Sequence, residues 1–161
     1  MFRIGWLIHV LQKSEFIFFF LRLHENKREK KMIQLNKDFY PIIYITFKDS
    51  DWNFEDYTNI IQIIEEQLNE SITKKETIKL VIDGKAELTT SPSLQSYTWI
   101  VKDLFRLRSL LAVAIDRTVI LTSGGSLKTF FDVILQLYTP VKPLKIFEIY
   151  DEAYTWLNSG A

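Results

Sequence analysis

The chain contains no cysteine, so neither a disulfide framework nor a thiolate metal site can form. Its two histidines, His9 and His24, both precede residue 32. From Met32 onward there is neither Cys nor His. A Ser-His-Asp or Cys-His relay needs an imidazole, and zinc sites are built mainly from Cys and His, so residues 32–161 lack the means for either. The phosphate-binding patterns G-x-x-x-x-G-K-[ST] and G-x-G-x-x-G are also missing. No repeat or low-complexity tract occurs. A surplus of one charge is absent too, since 20 Lys+Arg face 20 Asp+Glu. No general field therefore draws the protein to nucleic acid or to an anionic membrane. These absences lead us to expect no catalytic residues, no metal, no cofactor and no enzyme.

A long unbroken apolar run is missing as well. Ile4–Leu23 is interrupted by Gln12-Lys13-Ser14-Glu15, whereas a spanning helix wants about 20 mostly apolar residues. Two charges near its middle would cost a few kcal/mol. No Ala-x-Ala-like cleavage site follows. Residues 1–31 carry a net charge of +4, and the remainder carries −4. We therefore expect residues 1–31 to be a basic, apolar extension, with Met32 as an alternative start. Any membrane contact would run through that segment, and the expected location is the cytoplasm.

What is present is core material. Apolar residues make up 47% and aromatic residues 14% of 161 residues, which excludes wholesale disorder and suits one domain. Ile33 and Leu35 alternate with polar neighbours, and Ile42–Phe47 is a β-branched and aromatic run. The short link between them predicts an antiparallel pair. Tyr57, Ile60, Ile61, Ile64 and Leu68 follow helical spacing, entered through Asp51 or Asn53 as a cap. Ile78–Ile82 reads as a central strand ending at Asp83-Gly84. Ser91-Pro92 opens a helix with Leu94, Tyr97, Val101, Leu104 and Phe105 as its buried stripe, which ends at Arg108. Thr118–Thr122 is the next strand. Leu127, Phe130, Phe131, Ile134, Leu135 and Tyr138 then form a helix stopped by Pro140 and Pro143. Leu144–Ile149 is the last strand, and Asp151 caps a short final helix. The order ββαβαβαβα predicts an α/β fold, with a mixed, mostly parallel sheet of about five strands and four helices.

Two loops carry candidate chemistry. Ser123-Gly124-Gly125-Ser126 joins a strand to a helix, where free N–H groups and the helix dipole suit an anion. A tight turn capped by Ser126 is the plainer reading, with Ser123, Gly124, Gly125 and Ser126 as the candidate ligand contacts. Asp49 and Asp51 follow a strand, as in haloacid-dehalogenase-type phosphatases, and Asp83 could join them around Mg²⁺. Trp52-Asn53 continues that motif poorly, so capping acids on a polar loop are expected. Lys102, Arg106 and Arg108 lie beside Trp99, and in a net-acidic domain they read as a solvated face.

Leu80-Val81-Ile82-Asp83, Val119-Ile120-Leu121-Thr122 with the helix after it, and Pro143–Leu157 together carry a resemblance. Over residues 32–158 the chain resembles the SpoIIAA-like fold shared by STAS and CRAL-TRIO domains, most of all its STAS-like branch. The resemblance implies a non-enzymatic regulatory module that binds another protein. It also implies a switch by phosphorylation of a Ser in an Asp-Ser-[Ser/Thr]-Gly loop. The matching loop here is Ser91-Pro92-Ser93-Leu94, which lacks the Asp and the Gly. Ser91 and Ser93 are the candidate phosphoacceptors, with capping as their plainer role. The CRAL-TRIO side implies a small-ligand or lipid carrier.

Overall fold

The β-branched segments pair into one sheet, which sets everything else. In the computed structural model, residues 33–47, 54–84 and 93–159 are described. The expectations for residues 1–31, Asp49, Asp51, Asn53 and Ser91 fall outside these ranges. Strands β1 (Ile33–Asn36), β2 (Ile42–Phe47), β3 (Ile78–Gly84), β4 (Ile115–Thr122) and β5 (Leu144–Phe147) lie side by side in chain order. β1 runs antiparallel to β2, as its short link requires, and β2 to β5 are mutually parallel. The Asn36 side chain accepts the Asp38 N–H at 2.8 Å and holds that link.

Register sorts the sheet into two faces. Ile43, Leu80, Thr118 and Leu144 form one row, and Ile45, Ile82, Ile120 and Ile146 the next. On this face Ile43, Ile45, Ile78, Leu80 and Ile115 pack with Leu68 and Ala114 from the helices above. The opposite face carries Tyr44, Val81, Val119 and Lys145, then Thr46, Asp83, Leu121 and Phe147.

Among the described residues the helices are α1 (Phe54–Lys74), α2 (Leu94–Arg106), α3 (Arg108–Ala114), α4 (Gly125–Leu137) and α5 (Tyr150–Asn158). Each parallel crossover advances one strand in the same direction. Right-handed connections therefore place their helices on the same face. The packing agrees: Leu68 of α1 and Ala114 of α3 join the first face, and Leu127 of α4 sits over Gly84. The opposite face receives α5, whose Tyr150 and Trp156 reach Asp83 and Arg117.

Several expectations need correction. The four expected helices become five, because the third quarter of the chain breaks at Leu107. That residue turns with φ −85° and ψ 0° and is buried. Burying Leu107 redirects the chain, so Arg108 opens α3 instead of ending a stripe. Leu94 and Phe105 are exposed, and α2 packs through Tyr97, Ile100, Val101 and Leu104 against Leu127, Phe130 and Ile134 of α4. β4 starts at Ile115, three residues before the apolar run, because Ile115 and buried Arg117 pair with Ile78 and Lys79, with Asp116 at a shift of register between them. β5 ends at Phe147, and Ile149 is the N-cap of α5. Asp151 lies in the first turn of α5, where its charge favours the helix dipole without capping.

Candidate functional site

The Ser-Gly-Gly-Ser loop is built as a turn. Thr122, fully buried at the end of β4, accepts the Gly124 N–H at 3.1 Å. Gly124 has φ 87° and ψ −157°, and Gly125 has φ 66°. The first pair of angles belongs to a region that essentially only glycine enters. Helix α4 starts at Gly125 with Gly124 as its N-cap and no side-chain cap. Ser126 therefore sits inside the first turn and does not cap, a correction that follows from the positive φ of the two glycines. A Cβ placed on Gly124 would lie 3.8–3.9 Å from the Glu148 carboxylate. The positive end of α4 thus already faces a carboxylate, which opposes a second anion. Ser123 and Ser126 are exposed.

Ser93 is the N-cap of α2. Its side chain accepts the Ser96 N–H at 3.2 Å, the capping role read from the sequence.

Asp83 ends β3 beside Thr46 and Leu121 and is 2% exposed. It accepts a hydrogen bond from the Tyr150 hydroxyl of α5 at 2.7 Å. Burial, reinforced by the charge of Asp83, holds the Tyr150 pKa far above the ordinary phenol value. Burial does the same to Tyr44, with Tyr154 and Asp83 adding to it. Both phenols stay protonated throughout the physiological range, and the Tyr150 hydroxyl anchors the start of α5 to β3. Among the described residues no group of three or more His, Cys, Asp or Glu comes together. Tyr150 went unnoticed in the sequence because its partner lies 67 residues earlier, and no local spacing signals the pair.

On the helical side, two of the three basic residues named from the sequence, Arg106 and Arg108, have internal partners. Arg106 bonds both oxygens of Glu65 at 2.9 and 3.0 Å and Asp103 at 2.8 Å. Tyr57 of α1 donates to the same Asp103 at 2.5 Å and stacks on Trp99. Arg108 donates to the Thr139 carbonyl and stands over the Tyr138 ring. Large apolar side chains nevertheless face solvent here: Leu94 is 84% exposed, Val113 61%, Leu137 55% and Phe105 52%. Phe105 meets the ring of Tyr138 edge-on at 5.2 Å, and Leu137 is the next residue in the chain. Phe105 and Arg108 therefore gather around one buried tyrosine, which exposed Leu137 precedes in the chain. Beneath them, between the helices and the first sheet face, lies an apolar cavity of about 100 Å³.

No family model matches the chain, and no curated protein matches it. Among solved structures, it is similar to an uncharacterized protein from the DUF3478 family with a SpoIIAA-like fold, from Shewanella loihica PV-4. The two are 21% identical, the match covers 78% of this chain and 91% of that one, and the TM-score is 0.47. Among the described residues, no helix is long and apolar enough to cross a membrane.

Proposed function

We propose that residues 32–161 act as a binding module without turnover, docking another protein on the outer surface of α2, α3 and α4. The observation that carries this reading is the exposure of Leu94, Phe105, Val113 and Leu137 on three successive helices of one layer. A single exposed leucine means little, but several on one side mark interaction surfaces. An aromatic ring with an arginine beside it, as Phe105 and Arg108 stand around Tyr138, is the usual composition of an energetic centre. The setting supports binding over chemistry, because Asp83 is engaged by a tyrosine and the α4 N-terminus already faces Glu148.

The test is a photo-crosslinking residue placed at Phe105 in the full chain, expressed in its own cells, with a second at Lys145 on the other sheet face. A saturable crosslink to one protein from Phe105, lost on Leu137→Glu, is the expected result. Equal labelling from both positions, or none from Phe105, would remove the docking surface. Native mass spectrometry of the same preparation separates the alternatives, since a stoichiometric small molecule without a protein partner would favour a carrier.

A further inference from the structure

The cavity beneath α2 and α3 has a wall of one character. Ile64 of α1, Leu80 of β3, Leu104 of α2 and Leu111 of α3 are among its apolar side chains. The polar side chains in the wall are Thr118, Tyr138 and Lys142, and no acid is among the described residues that line it. Tyr138 is 3% exposed, and among the described residues nothing accepts the proton of its buried hydroxyl. A buried hydroxyl without an acceptor is unfavourable, so something that accepts its proton would be favoured there. Burial raises the Tyr138 pKa against the pull of Arg108, which keeps the hydroxyl a donor at neutral pH. The Arg108 guanidinium lies 5.7 Å from the ring centroid and adds positive charge on that side.

Size limits the occupant. A dry cavity of about 150 Å³ takes benzene, so about 100 Å³ suits an aliphatic group of a few carbons. We propose that this cavity binds a short aliphatic carboxylic acid, its tail among Ile64, Leu80, Leu104 and Leu111 and its carboxylate on Tyr138 and Lys142. A hydroxyl donor and a cation without a nearby acid select an anionic head, and the apolar wall selects the tail. The cavity lies beneath the outer docking surface and shares Tyr138 and Arg108 with it, and a bound acid needs no docked protein.

A methyl-resolved NMR titration of the full chain with hexanoate tests it, with hexan-1-ol and hexadecanoate as controls. The expected result is saturable shifts at the Ile64, Leu80 and Leu111 methyls, with hexanoate bound more tightly than hexan-1-ol. Tyr138→Phe and Lys142→Gln should each weaken hexanoate by about tenfold or more. Lys142→Gln should leave hexan-1-ol unchanged. The methyl spectrum itself reports whether each variant is folded. If Tyr138→Phe fails to fold, the exposed-side variant Lys142→Gln decides alone. Absence of saturable shifts would overturn the proposal, as would indifference to the variants. Tighter binding of hexan-1-ol or of hexadecanoate at the same methyls would also overturn it.

Discussion

Single residues hold the two most specific backbone and side-chain arrangements. Gly124 occupies angles closed to residues with a Cβ. We therefore expect Gly124→Ala to destabilise by about 1–3 kcal/mol, read as a shift in the urea midpoint. Gly125, at φ 66° with open space around a built Cβ, should tolerate Asn with a smaller loss, because Asn enters the left-handed region more readily than other residues. The Tyr150–Asp83 bond is the second case. Tyr150→Phe leaves the ring in place but withdraws a donor from a buried carboxylate, and about 1–3 kcal/mol should be lost. The pH dependence has a definite sign. The native Tyr150 pKa lies above its unfolded value of 10.0. Its contribution is thus complete below pH 10 and declines as pH rises further, because the unfolded chain releases the phenolic proton first. Denaturation curves between pH 8 and about 11 should show wild type losing stability more steeply than Tyr150→Phe. Parallel curves would mean that the hydroxyl titrates alike in both states.

At the scale of elements, side chains at helix ends do the joining. Arg117, buried in β4, donates to the carbonyls of Trp156 and Ser159 at 2.9 and 2.6 Å, which completes the C-terminal end of α5. Its guanidinium also lies 5.3 Å from the Trp156 ring centroid. Arg117→Met retains the stem and deletes those donors. Amides of Ala153–Asn158 should then exchange faster, while those of β3 keep most of their protection. Uniform loss across the domain would show that α5 does not open separately. At the start of α1's last turn Glu70 meets Lys37 at 2.5 Å and Lys74 at 2.7 Å, tying the β1–β2 link to the helix. Hydrogen bonds from Lys37 and then Lys74 lower the Glu70 pKa from 4.5 to about 2. Its stabilisation is thus present above pH 4.5 and disappears as pH falls toward about 2. These groups are exposed, so the effect should be small and salt-sensitive. The difference in urea midpoint between wild type and Glu70→Gln should shrink to zero over that acid range.

For the whole molecule, sheet order governs the distribution of stability. Strands added one after another in the same direction leave the four earlier helices on one face and α5 on the other. β3 and β4 have a parallel neighbour on each side and a helix layer above. Hydrogen exchange should place the amides of Leu80–Ile82 and Val119–Leu121 at the global unfolding free energy, with those of α5 and β1 below it. Equal protection in α5 and β3 would make the domain one cooperative unit to its last helix. Substituting Leu80→Ala should lower the protection of those globally exchanging β3 and β4 amides together, by about 2–5 kcal/mol.

The order of strands and helices was legible because period and run length are local properties. Ile42–Phe47, Ile78–Ile82 and the Leu127–Tyr138 series declare themselves through side chains that alternate or recur at helical spacing. The absence of Cys from the chain and of His from residues 32–161 was equally plain, and it takes imidazole relays and thiolate metal sites away from that part. Ile115–Arg117 stayed hidden, since a charged pair inside a strand is explained only by the α5 carbonyls that receive Arg117. The break at Leu107, the exposure of Leu94 and Phe105, and the cavity around Tyr138 depend on which neighbour arrives from elsewhere in the chain. The same holds for Asp83, whose sequence suggests a metal ligand and whose fold supplies a phenol. Local chemistry determined the elements, whereas burial and pairing, which are properties of distant residues brought together, decided the sites.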